Sequence, residues 1–439
     1  MAQPLKVGLA GLGTVGSAVV HLLERGRDKL IARCGGPIEV VAISARSRQK
    51  KRGFDPGKFR WVADPAVLAR DPEIDVLVEV IGGAAGAAKV AVETALGAGK
   101  AVVTANKALL AAHGQRLADL AERHGVALNF EASVAGGVPI VKTLREGLNG
   151  ASFTRIYGIL NGTCNYILTR MEQERLSFAD CLKEAQRLGY AEADPSFDIE
   201  GHDTAQKLAI LASLAFGTKI DPRAVYSEGI ASITPADLNA ADELGYRVKL
   251  LGVAVKTAKG IEQRVHPTMV PKSSSIAQVM GVTNAVTIDG EGIPPITLVG
   301  PGAGGAATAS AVLADIADVA RGVRVQPFGR PVERLRATEK APMERHVGGY
   351  YIRLMARDLP GSAAAIATRL AEQKISIESI VQRQANGSDA GKASGKSSPV
   401  PVLLITYATH EDAVHRALAA VQKDKVISGR PQLIRIEKN

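Results

Sequence analysis

Gly11-Leu12-Gly13-Thr14-Val15-Gly16 is the first place where residue type and spacing imply chemistry. It follows a short apolar run, Leu5-Lys-Val-Gly-Leu-Ala10, and opens a helical segment with Val15, Val19, Leu22 and Leu23 on one face. In that setting Gly11 allows a tight turn, Gly13 lets the backbone approach a pyrophosphate, and Gly16 lets helix pack on strand. The helix N-terminus, opened by Thr14 and Val15, faces the phosphates. A dinucleotide is the implied ligand, against the alternative of a bare strand–helix turn. The second apolar run, residues 38–43, decides between NAD and NADP, because an acid at its end would hold a ribose 2′-hydroxyl and repel a 2′-phosphate. The chain instead continues Ser44-Ala45-Arg46-Ser47-Arg48. Arg46 and Arg48 suit bidentate phosphate contact, so NADP is preferred and NAD is the alternative. Lys50, Lys51 and Arg52 read as a solvated basic loop.

A second constellation spans residues 192–207, where Glu192, Asp194, Asp198, Glu200, Asp203 and Lys207 place five carboxylates and a lysine in sixteen residues. Asp203 and Lys207 are four apart on a predicted helix and share a face. Physics alone leaves two accounts: a catalytic cluster, or an acidic loop with an i,i+4 ion pair worth roughly a few tenths of a kcal/mol. Lys107 follows the run Ala101-Val-Val-Thr104, and open parallel sheets bind ligands at such strand ends. Cys164, in Asn161-Gly-Thr-Cys164-Asn, invites a thioester mechanism. A reactive thiolate needs a base, and no histidine partner motif accompanies it.

The elements that must position these groups alternate between strand and helix up to residue 130, with strands at 75–80, 101–104 and 127–130 and a helix at 87–98. The fold class is α/β, with an N-terminal Rossmann-like, doubly wound parallel sheet over 1–130. Residues 131–300 read as an α+β catalytic and dimerisation region. It has helices near 138–148, 163–175, 178–188 and 203–216, and strands at 155–160, 248–256, 261–268 and 285–290. Residues from about 300 to 325, a glycine turn and an alanine-rich helix, return to the first domain. A proline-bearing linker, 326–347, leads to a small domain, 348–439, with a βαββαβ pattern and a flexible hairpin insert at 385–400.

The bulk composition narrows the function class. With 46% hydrophobic and 22% charged residues in 439, the chain is globular and long enough for two or three domains. Its net charge of +10 is scattered apart from the one cluster Arg46-Ser-Arg48-Gln-Lys50-Lys51-Arg52, without zinc-finger spacing or a basic stripe interleaved with aromatics, so no nucleic acid partner is expected. No apolar run approaches the roughly 20 residues of a membrane span, so no membrane partner is expected either. Three cysteines without a CxxC pair, and no signal-peptide profile, point to a reduced, cytoplasmic setting.

The segment Ala185-xxx-Gly189-Tyr190-Ala…Asp194-Pro-xx-Asp198-Ile-x-Gly201-x-Asp203-xxx-Lys207 resembles the signature of homoserine dehydrogenases. Thr104-Ala-Asn106-Lys107, Glu131-Ala-Ser-Val-Ala-Gly-Gly-Val-Pro-Ile140 and Leu160-Asn-Gly162-Thr-Cys-Asn-Tyr166 are similar to the same family. The likeness runs from the first glycine loop to about residue 330. It implies NADPH-dependent, reversible reduction of L-aspartate 4-semialdehyde to L-homoserine. By the resemblance, Lys207 is the general acid and Lys107 lies beside nicotinamide and reacting oxygen. Asp203 and Glu192 hold substrate ammonium, catalytic water or lysine, with Asp198 and Tyr190 behind them. Gly302 approaches the nicotinamide half. A structural sodium or potassium ion rests on Glu131 and the carbonyls of Val134, Gly136 and Val138, although a tight turn before a helix explains that loop equally well from sequence.

In the small domain, Leu354-Met-Ala-Arg-Asp358-Leu-Pro-Gly361 resembles an ACT domain, in which such a turn binds amino acids and the modules pair. The resemblance implies feedback by an amino-acid effector, threonine by preference, in a homodimer or homotetramer. A dimerisation module without ligand is the alternative there. For the whole chain the alternatives are a catalytically silent nucleotide-binding sensor and a thioester-type dehydrogenase using Cys164.

Overall fold

The apolar runs before residue 130 form strands buried on both faces, which is why they read as continuous rather than alternating. The computed structural model describes residues 3–338, 340–382 and 399–437. Its first elements are β1 (Leu5–Ala10), α1 (Thr14–Arg25), α2 (Arg27–Cys34), β2 (Ile38–Ser44), β3 (Arg60–Trp61) and α3 (Pro65–Arg70). Then come β4 (Val76–Glu79), α4 (Ala87–Gly97), β5 (Ala101–Thr104), α5 (Lys107–His124) and β6 (Leu128–Asn129). The six strands pair in parallel in the order β3-β2-β1-β4-β5-β6. The order reverses between β1 and β4, and ligands bind at the C-terminal strand ends beside such a switch point. Gly11-Leu-Gly13 lies at the end of β1.

The central part contains α6 (Ile140–Lys142), β7 (Ser152–Ile159), α7 (Gly162–Glu174), α8 (Phe178–Arg187), α9 (Ser196–Ile199) and α10 (His202–Phe216). It continues with β8 (Tyr226–Ser227), α11 (Pro235–Glu243), β9 (Tyr246–Thr257), β10 (Gly260–Pro271), β11 (Thr283–Glu291), β12 (Ile293–Pro301) and α12 (Gly305–Ala320). The helix read over 138–148 keeps only α6 as α-helix, and Thr143–Gly147 widens into a π-helical turn. α10 is apolar nearly all round because it is buried between β7, β9 and β10 on one side and α5 on the other. α12 crosses back to pack on α1, where a Cβ on Gly305 would stand 2.9 Å from Thr14 Cγ2.

The C-terminal part is β13 (Val347–Ala356), α13 (Ser362–Glu372), β14 (Ile377–Gln382), β15 (Val400–Thr406), β16 (Thr409–His410), α14 (Glu411–Lys423) and β17 (Ile427–Ile436). The hairpin insert expected at 385–400 lies, up to residue 398, outside the described residues. The expected separation is less complete than the sequence suggests. β17 pairs in parallel with β10, so one sheet runs β12-β11-β7-β9-β10-β17-β13-β15-β14. The stretch 326–347 is likewise packed, with Phe328 and Leu335 buried and the Val332 N–H bonded to Glu122 on α5.

Candidate active site

The glycine loop is shaped by contact. Gly11 has φ +105° and donates its N–H to the Ser44 carbonyl at 2.8 Å, while a Cβ on Gly16 would overlap the Gly11 carbonyl oxygen. Beside it opens a cleft of ≈ 530 Å³ walled by Gly11, Gly13, Arg46, Lys50, Arg52 and Ile81 among others. Arg46 lines this wall, whereas Arg48, Thr14 and Val15 are outside it. Lys50 is exposed, as the sequence reading had it, whereas Arg52 is half-buried and departs from that reading. Arg52 folds back over the loop and donates to the carbonyls of Leu12 (3.1 Å), Lys50 (2.6 Å) and Ser47. Loop curvature, which spacing does not encode, brings it there.

The charged cluster assembles from three strand or helix ends. Asn106 caps α5 by accepting the Leu109 N–H at 3.1 Å, which makes Lys107 the first residue of that helix at the end of β5. Asp203 sits in the first turn of α10, where the helix dipole favours an anion, and Lys207 follows one turn on. Lys107 Nζ lies 3.0 Å from Asp203 Oδ1, and Lys207 Nζ donates to Asp203 Oδ2 at 2.8 Å and to the Leu160 carbonyl at 2.7 Å. Asn161, whose Oδ1 caps α7 at Cys164 N–H, donates through Nδ2 to Asp203 (2.9 Å) and Asp198 (2.8 Å). Burial acts to raise the carboxyl pKa of Asp203, but the Lys207 and Lys107 ammonium groups outweigh it and hold it well below the usual range. Asp198 is pushed up by burial and by the Asp203 charge. The result is an ionised carboxylate that holds two ammonium groups beside the C-terminal end of β5.

Residues 11–131 match the family described as "Homoserine dehydrogenase, NAD binding domain", and residues 139–317 match "Homoserine dehydrogenase". A homoserine dehydrogenase of Pseudomonas aeruginosa is 44% identical over 442 aligned residues, covering 99% of each chain. The chain belongs to the homoserine dehydrogenase family. Homoserine dehydrogenases are NAD(P)-dependent oxidoreductases of amino-acid biosynthesis. The crystal structure of a homoserine dehydrogenase from Thiobacillus denitrificans is similar with a TM-score of 0.91 and 42% identity over 99% of each chain. A hyperthermophilic archaeal homoserine dehydrogenase in complex with NADPH is similar with a TM-score of 0.61 and 30% identity, covering 72% of this chain and 97% of that one.

Within this homoserine dehydrogenase fold, the remaining expected residues separate into near and far. Cys164 is fully buried, its Sγ donates to the Asp198 carbonyl at 3.2 Å, and burial beside Asp198 and Asp203 pushes the thiol well up. It is a packed thiol, so the thioester alternative has no nucleophile. Tyr190 and Glu192 lie exposed in the α8–α9 connection, Tyr190 packing edge-on against Tyr166 at 5.0 Å between centroids. Among the described residues neither side chain bonds to the Lys107–Asp203–Lys207 cluster. Asn161 is the residue that sequence reasoning missed. Its signal was an Asn two residues before the helix predicted from 163, close to a capping position.

The loop 131–138 packs directly on the 300–305 turn. A Cβ on Gly136 would stand 2.5 Å from the Gly302 carbonyl carbon, Gly137 N–H donates to the Pro301 carbonyl at 3.0 Å, and a Cβ on Gly302 would overlap the Asn284 side chain. The two carboxylate oxygens of Glu131 accept the N–H groups of Val141 (2.9 Å) and Lys142 (2.7 Å), and the Val138 carbonyl accepts from Ile140 at 2.8 Å. Val134 and Val138 are buried. Asp315 Oδ2 accepts the Glu131 N–H at 2.9 Å, while its buried Oδ1 has no hydrogen-bond partner among the described residues and faces the Lys142 ammonium at 3.8 Å. Burial and the neighbouring Glu131 push Asp315 up to about 7. Among the described residues no three His, Cys, Asp or Glu converge as a metal cluster, so any cation here depends on backbone oxygens.

A further cleft, of ≈ 940 Å³, lies away from this cluster. It lies between the β9–β10 hairpin and the C-terminal part, and its buried Arg264 pairs with the buried Glu262 and with the half-buried Glu437. A smaller cleft of ≈ 290 Å³ surrounds the turn Asp358-Leu-Pro-Gly361. Among the described residues no helix is long and apolar enough to cross a membrane.

Proposed function

We propose that this chain reduces L-aspartate 4-semialdehyde to L-homoserine, reversibly and with NADPH, through Lys207, Asp203 and Lys107. The observation that carries the reading is one buried carboxylate binding two lysines beside the coenzyme-binding sheet. When bound, the reduced nicotinamide supplies a hydride to the aldehyde carbon. Negative charge then develops on the aldehyde oxygen, and Lys207 Nζ donates a proton there while Lys107 stabilises the charge. Asp203 holds both ammonium groups in place, and Asn161 and the Leu160 carbonyl fix Asp203 and Lys207 in turn. Glu192 and Tyr190 reach substrate only if the α8–α9 connection closes over it, which their exposed positions permit.

Arg46, with Lys50 and Arg52 beside it, supports NADP over NAD, since no acid stands at the end of β2 to exclude a 2′-phosphate. Gly302 reaches the nicotinamide half in this reading. A sodium or potassium ion at the 131–138 loop would balance the buried carboxylates of Glu131 and Asp315, with carbonyls of Val134, Gly136 and Val138 as its ligands. The cleft at Asp358-Leu-Pro-Gly361 suits an amino-acid effector at an ACT domain, threonine by preference. The open sheet edges β12 and β14, with Val299 and Ile380 exposed, suit pairing into a homodimer or homotetramer. Three free thiols agree with a cytoplasmic setting. The test is oxidation of NADPH and of NADH by the full-length protein with L-aspartate 4-semialdehyde. Turnover with a higher kcat/KM for NADPH is expected. Coenzyme binding without turnover would overturn the reading.

A further inference from the structure

Glu79 ends β4 fully buried, and among the described residues no lysine, arginine or histidine pairs with it. Its carboxylate is held by neutral donors alone. Oε1 accepts the N–H groups of Ile81 (2.8 Å) and Gly82 (3.0 Å) and, at 3.5 Å, the Asn106 amide. Oε2 accepts the Thr104 hydroxyl at 2.6 Å. Thr104 Oγ1 in turn accepts the Asn106 N–H at 3.1 Å, and Asn106 Nδ2 donates to the Gly83 carbonyl at 2.8 Å. Such a set suits an ionised carboxylate, which only accepts.

Two parts of the site meet at this one side chain. Val80 and Ile81 wall the coenzyme cleft, and the Ile81 N–H is fixed by Glu79 itself. Thr104 and Asn106 belong to the turn that caps α5 and delivers Lys107 to Asp203. We propose that Glu79 is a positioning residue that locks the coenzyme wall to the Lys107 turn, and that its buried charge favours the oxidised coenzyme over the reduced one. The inference rests on the functional reading above, in which the nicotinamide half lies beside Lys107. An oxidised nicotinamide ring is cationic and a reduced one is neutral, so a fixed anion behind the wall attracts only the first. A dry setting preserves that attraction.

The test is calorimetric binding of NADP⁺ and of NADPH to the full-length wild type, Glu79→Gln and Glu79→Asp, with kcat measured alongside. Glu79→Gln should raise the Kd for NADP⁺ roughly tenfold more than that for NADPH. Glu79→Asp keeps the charge and should hold the ratio of the two Kd values within about twofold, while kcat falls roughly tenfold as Lys107 is displaced. A purely structural role would weaken both coenzymes alike in Glu79→Gln, and that unchanged ratio overturns the proposal. If the Gln variant does not fold, a shifted ratio in the Asp variant overturns it instead. A wild type that binds neither coenzyme would sink the functional reading itself, which keeps the two failures apart.

Discussion

Asp203 divides its two oxygens between two ammonium groups, and that division is the chemical centre of the site. Removing the charge while keeping the shape, as in Asp203→Asn, leaves Lys107 and Lys207 facing one another with no anion between them. We expect kcat to fall roughly a hundredfold with the Kd for NADPH little changed, read by steady-state kinetics and calorimetry. The pH dependence has a definite sign. The Asp203 carboxyl is held below its ordinary value, so the stability it contributes is present above the unfolded value of 3.8 and is lost only as pH falls through the lower folded one. Lys107, Asp203 and Lys207 were singled out in the sequence by a strand end and an i,i+4 spacing, which are local properties, and it took the family resemblance to favour a catalytic cluster over a plain ion pair. Asn161 was not, since its role requires the end of β7 to meet the start of α10. Nor does a run of carboxylates reveal which of them fold inward, and Glu192 remained exposed.

At the scale of elements, helix caps and strand ends carry the site, and one interior tie supports them. Lys249 on β9 is buried, donating to Asn165 Oδ1 of α7 at 3.1 Å and to the Val279 carbonyl at 2.6 Å. Burial draws its pKa down from 10.5 to about 8. Between those values the unfolded chain holds the proton and the folded one does not, so the contribution of Lys249 to stability rises with pH. Urea unfolding of wild type and Lys249→Met should therefore show the wild type gaining on the variant from about pH 8 to about pH 10.5; a difference independent of pH would contradict this. The long helix α7, read over 163–175, was legible to within a residue. β12 was not, because its sequence Ile293-Pro-Pro-Ile-Thr reads as loop. It is tolerated as a strand because it is the sheet edge, where a missing N–H costs nothing.

For the whole molecule, the decisive feature is the continuous sheet that joins the catalytic part to the C-terminal part through β10 and β17. Its seam is ionic. Arg435 is buried there, bonded to Glu411 on α14 and to Glu228 near β8, with the Tyr226 ring 5.2 Å from its guanidinium carbon. Arg353 and Tyr351 make a second tie to Asp237 on α11. Arg435→Met should cost about 3 kcal/mol in urea unfolding, because the buried Glu411 then keeps, among the described residues, only His415 and the Tyr350 hydroxyl as partners. A change below about 1 kcal/mol would mean that the seam is not structural. The parallel sheet and the βαββαβ order were legible from alternation of periods. The seam was not, since it pairs residues near 268 with residues near 435 and no local pattern announces so distant a register.

The account stands on Lys207 as the proton donor, and the most direct measurement is turnover of L-aspartate 4-semialdehyde with NADPH by Lys207→Ala beside the wild type, each with its Kd for NADPH. The expected result is wild-type turnover, a loss of at least about a hundredfold in the variant, and coenzyme binding that stays within about twofold. A variant that turns over at the wild-type rate would contradict the assignment.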